Sequence, residues 1–60
     1  MAETLIQRVR RIRKERRITI FELALRIRIP EATLSRLERG MIPMTPKQAD
    51  IIRAFLAGKL

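Results

Sequence analysis

Residues 19–40 read TIFELALRIRIPEATLSRLERG, and the punctuation of this stretch decides the fold. Thr19 is a good helix N-cap, Glu22 stands at the third helical position to complete a capping box, and Ile18 and Leu23 are spaced for a hydrophobic staple. The spacing predicts a short helix over residues 20–27. It must stop there, because Pro30 disfavours helical geometry at the residue before it. Proline suits a first helical turn, so a second helix begins at or just after Pro30. That helix turns Leu34 and Leu37 inward and ends at Gly40, which accepts the left-handed conformation that closes a helix. A turn of about three residues, Arg28 to Pro30, joins the two. Ala24 is the small residue needed where the helices cross, and Ile29, Leu34 and Leu37 are spaced to hold the second at a steep angle. This is the length and layout of a helix-turn-helix.

The flanks follow the same grammar. On the N-terminal side, Leu5, Ile6, Val9 and Ile12 recur at helical spacing over residues 5–16. Arg8, Arg10, Arg11, Arg13, Lys14 and Arg17 crowd the remaining surface, and Thr4 with Gln7 has the form of a capping box. On the C-terminal side, Thr45-Pro46-Lys47-Gln48 combines an N-cap, a proline at the first position and a capping-box glutamine. Ala49, Ile52, Phe55 and Leu56 form the apolar stripe that follows, and Gly58 closes it. No linker, repeat or low-complexity stretch interrupts the chain. Caps and apolar periodicity agree throughout, which is the sequence-level mark of a chain that folds. The expected structure is all-α: one domain over residues 1–60, with the helix-turn-helix unit at about residues 20–39.

Composition narrows the function. Sixty residues lie near the lower limit for a fold without staples, and with no Cys and no His neither a disulfide nor a soft-metal site is available. No apolar run approaches the ~18 residues of a membrane span, and charge arrives too early for a signal peptide. The formal net charge of +8 makes nucleic acid the first suspect as partner and an anionic membrane surface the second. A membrane-surface peptide accounts for the first segment only, since the other three are capped and patterned for a globule. Catalysis is not expected. Ser35 and Asp50 are the only Ser and Asp, and without His or Cys no triad or acid–base pair assembles. No cofactor, metal or small-molecule ligand is expected, and the cytoplasm, at the nucleoid, is the expected location.

The residues Arg13-Lys14-Glu15-Arg16-Arg17, Thr19, Glu22-Leu23-Ala24 and Ile29, and above all Leu34-Ser35-Arg36-Leu37-Glu38-Arg39-Gly40, carry a resemblance to the Cro/phage-repressor (Xre-like) helix-turn-helix family. It spans about Leu5 to Leu56 without gaps in the central unit. It implies a lambda-repressor-like domain of four helices, without the fifth helix of many relatives, working as a bacterial or phage transcriptional regulator. Such a regulator lays its recognition helix, residues 30–39, in the major groove of double-stranded DNA. The family's base-reading positions fall on Glu31, Ala32 and Arg36. Arg36 suits a bidentate contact to guanine, Ala32 a thymine methyl, and Glu31 a cytosine amino group or the positive end of its own helix. Phosphate contacts are expected from Thr33 and Arg39, and more loosely from Arg17, Arg28 and Lys47. Arg13 and Glu38 match a structural ion pair of the family. One recognition helix covers too few base pairs to discriminate against a genome, so a homodimer on an inverted repeat is expected, joined through helix four and the chain end.

Four positions depart from the family pattern. Ile20 stands where a phosphate-gripping Gln is common, and Phe21 follows where polar residues are usual. The pair is expected to pack into the core, with an exposed patch for a partner as the alternative. Arg28 occupies a place often held by Gly, so it must turn left-handed at a cost of about 1 kcal/mol, or the turn is built differently. Pro30 replaces the usual Ser or Thr cap. A second reading of function follows from these features: an antitoxin or accessory module that binds DNA only with a partner, using Ile20, Phe21, Phe55, Leu56 and Leu60 as interface.

Overall fold

The computed structural model describes residues 2–60 and holds four helices: α1 (Leu5–Glu15), α2 (Ile20–Ile27), α3 (Glu31–Glu38) and α4 (Pro46–Leu56). All three expected capping boxes are formed. The backbone N–H of Gln7, Glu22 and Gln48 donates to the hydroxyl of Thr4, Thr19 and Thr45 at 3.2, 3.0 and 3.1 Å. In return each third-position side chain accepts from the cap's own N–H, at 2.9, 3.3 and 3.0 Å. The helices therefore start where the sequence places them. α3 begins just after Pro30, within the expectation, and Pro30 is its N-cap with no side-chain cap bond.

Every helix ends in a left-handed residue. Gly40 (φ 72) and Gly58 (φ 76) serve α3 and α4, and Arg17 (φ 56) and Arg28 (φ 56) serve α1 and α2. In each case the N–H of the next residue reaches back five positions, as from Ile18 to the Arg13 carbonyl at 2.9 Å and from Ile29 to that of Ala24 at 3.2 Å. The left-handed alternative weighed for Arg28 is thus the one adopted. Arg17 adopts it as well, which the sequence did not announce.

These reversals bring the apolar stripes to one centre, where Val9, Leu23, Ile27, Leu34, Ile52 and Phe55 are almost wholly buried. Each such side chain contributes roughly 1.5–3 kcal/mol of burial. Ala24 and Ile29 complete the packing where α2 meets α3, and Leu37 is buried farther along α3. Arg16 covers the core from outside, its guanidinium 5.9 Å from the Phe55 ring centroid.

The Ile20–Phe21 pair splits. Ile20 packs against the core, but Phe21 remains 55% exposed, contrary to the expectation that both are buried. The core stripe of α2 runs through 20, 23, 24 and 27, and the helical period carries 21 and 25 to the opposite face. Leu25, at 64% exposure, joins Phe21 there. Phe55 is also corrected: at 2% exposure it belongs to the core and is no interface residue.

Candidate nucleic-acid interface

The surface of α3 divides cleanly by phase. Leu34 and Leu37 face the core, whereas Glu31, Ala32 and Arg36 are exposed. Ala32 and Arg36 stand one turn apart and share a face. Arg36 makes no ion pair among the described residues, and Glu31 makes none either. The reading positions implied by the resemblance are therefore together, solvent-facing and uncommitted.

What holds α3 in this attitude lies at its two ends. At the C-terminal end Glu38 accepts a bidentate pair of bonds from Arg13, from Nε at 2.9 Å and from Nη2 at 2.8 Å. Arg13 also donates through Nη1 to the Ile18 carbonyl at 2.9 Å, so one guanidinium ties α1, the α1–α2 junction and α3 together. The Glu38 side chain is 4% exposed and that of Arg13 10%, so neither charge is solvated by bulk water. Arg10, on the exposed side of α1, lies 3.9 Å from Glu38 and adds a second cation that the sequence reading missed. At the N-terminal end the turn through Arg28 and Ile29 delivers Pro30, which offers the first-turn N–H groups of α3 no side-chain acceptor.

The other phosphate candidates fall into two groups. Thr33 is half-buried on α3, and Arg39 is exposed directly after it as the C-cap. Arg17 is exposed at the end of α1, two residues before the N-cap of α2. Arg28 and Lys47, in contrast, border a groove between α2 and α4 that no α3 residue lines. Arg26, which the sequence reading passed over, joins them there. Its only local signal was a cation in the last turn of α2, a position that also favours any helix C-terminus.

The titration shifts lie elsewhere. The hydrogen bonds from Arg11 hold the Glu3 carboxyl below the usual carboxylate range, and those to Glu3 and Glu15 push the Arg11 guanidinium still higher. This cluster secures the segment before α1, and no residue of α3 takes part in it.

Two helices meet at the buried Ala24, and the second presents Arg36 outward with no ion pair among the described residues. A protein-family model described as helix-turn-helix matches residues 9–57. No curated protein and no solved structure matches the chain.

Proposed function

From the premise that the chain belongs to the Cro/phage-repressor (Xre-like) helix-turn-helix family, whose members bind DNA as regulators, we propose that it is a sequence-specific repressor working as a homodimer on an inverted repeat. The observation that carries this reading is Arg36: exposed, unpaired and on the same face as Ala32, on a helix whose other face is locked into the core. In the major groove Arg36 donates two N–H groups of one guanidinium edge to guanine O6 and N7, and Ala32 packs on a thymine methyl. Glu31 accepts from a cytosine amino group or serves the dipole of α3. Thr33, Arg39 and Arg17 hold the phosphates on either side, and Arg28 and Lys47 are the outlying candidates.

The dimer is supported by size. The largest dimension of the fold is 24 Å, less than the ~34 Å that separates half-sites one helical turn apart. Two copies are needed to read both, and Leu56 with the exposed Leu60 gives α4 and the chain end apolar surface for the contact. The place of work in this reading is the nucleoid.

Selection of bound sites from a random duplex pool tests the proposal, with a two-fold symmetric site as the expected result. Arg36→Ala should then cost about 1–3 kcal/mol and relax preference at one position of each half-site. Arg39→Ala should weaken all sequences alike. An equal loss on every sequence for Arg36→Ala contradicts base reading by that residue.

The exposure of Phe21 and Leu25 favours a second reading, an accessory module that binds DNA only alongside a partner. The isolated chain discriminates the two: failure to bind any duplex below about 10 micromolar at low salt favours the accessory module.

A further inference from the structure

The groove between α2 and α4 is open to solvent, has a volume of about 890 Å³, and takes its apolar lining from Ile27, Ile51, Ala54 and Leu60. Three exposed cations border it: Arg26, Arg28 and Lys47. None of them makes an ion pair among the described residues. Asp50 also borders the groove, but its carboxylate accepts from Arg53 at 3.2 Å. Apolar surface continues on the other side of Arg28, where Phe21, Leu25 and Pro30 line a smaller depression that shares Arg28 with the groove; Glu31 borders it too, so the acidic residues of an occupant belong at the groove and only its apolar ones here. Phe21 and Leu25 stand one turn apart on the outside of α2, and Arg28, the C-cap of that helix, lines the same depression, so the three form a continuous strip.

We propose that this strip and groove dock an amphipathic, acidic segment of a partner protein, with its apolar side chains in the groove and its carboxylates on Arg26, Arg28 and Lys47. The acids of the chain itself argue against a second copy as the occupant. Glu3 and Glu15 are held by Arg11, Glu22 by its capping box, Glu38 by Arg13 and Asp50 by Arg53. Of the six acidic residues only Glu31 has no partner among the described residues, so a second copy, itself at +8, brings almost nothing to neutralise three cations. DNA brings phosphates but no apolar side chains, and the groove contains no residue of α3. A compact small anion meets the cations but leaves most of the groove, and Phe21 and Leu25 beyond it, uncovered. A helical segment with anchors three and four residues apart matches the whole strip and supplies charge of the right sign. The inference goes beyond the DNA-binding reading and stands without it; it takes Leu60 from the homodimer contact and leaves that contact to Leu56, which does not line the groove.

The test uses the full chain, isotope-labelled, titrated with three synthetic helical peptides and followed by NMR. The first carries Leu at helical spacing with Glu on its flanks, the second exchanges Glu for Lys, and the third exchanges Leu for Ser. The first should shift Ile27, Ile51, Ala54 and Leu60 saturably, and the other two should fail. Arg26→Glu combined with Lys47→Glu should weaken the first peptide about tenfold or more. Arg26→Gln with Lys47→Gln is the milder pair, expected to give a smaller loss in the same direction, and far-UV circular dichroism verifies that both variants stay helical. Equal binding of the Lys or Ser peptide, shifts centred on α3, or no saturable shift overturns the proposal. So does movement of the groove resonances by the unlabelled chain itself or by duplex DNA in preference to the first peptide.

Discussion

At the scale of single residues, the contact that decides most is the one between Arg13 and Glu38. Both charges are shielded from bulk water, so removing one strands the other in a medium that cannot solvate it. Glu38→Ala should therefore cost about 3–5 kcal/mol in urea denaturation, whereas the joint replacement Arg13→Met with Glu38→Leu should stay near the parent. A single-variant loss under about 1 kcal/mol would show that α3 is held by packing alone. The left-handed arginines make a different point. A side chain with a Cβ holds positive φ at a cost of about 1 kcal/mol, so Arg17→Gly should raise stability by roughly that amount. Arg28→Gly should give a like gain in the melt while removing one cation of the α2–α4 groove. A gain in stability accompanied by a loss of binding identifies strain that is kept for what the side chain touches.

At the scale of elements, three helices carry their own start signals and α3 does not. Thr45→Ala removes the acceptor for the Gln48 N–H and should destabilise by about 1 kcal/mol, read as a shift in urea midpoint with unchanged slope. α3 draws its order from Leu34, Leu37 and the Arg13 clamp, so it depends on the rest of the fold more than its neighbours do. The same contrast explains what could be read in advance. The helix starts at Leu5, Ile20 and Pro46 were legible because a capping box is local, needing a Thr and a Glu or Gln three residues on. Arg28 stood out because it takes a place where the family resemblance leads one to expect Gly. Arg17 gave no such warning, since no proline or glycine marks the end of α1. Phe21 was misjudged because two adjacent apolar residues can each claim the core until Leu23, Ala24 and Ile27 set the phase. The groove with Arg26 was illegible for another reason: it joins α2 to α4 and the chain end, which no local window connects. The outward face of α3 was legible as a pattern, because Leu34 and Leu37 alone fix which side looks out.

At the scale of the whole molecule, charge and size govern. A body measuring 24 × 23 × 20 Å and bearing +8 attracts polyanions through its net charge. A dimer that neutralises about six phosphates should lose about a thousandfold in affinity between roughly 50 and 200 mM salt, in a straight line of log K against log salt. A loss under tenfold would mean that few phosphates are held, and would remove Arg17 and Arg39 from the contact. The carboxylates add a last consequence. Nearly all are committed to holding the scaffold, so relief from self-repulsion has to arrive from another molecule. A ligand at a hundred times its Kd adds about 2.7 kcal/mol to the folded state. An occupied copy should therefore resist proteolysis longer than a vacant one, read as the rate of cleavage with and without the bound partner.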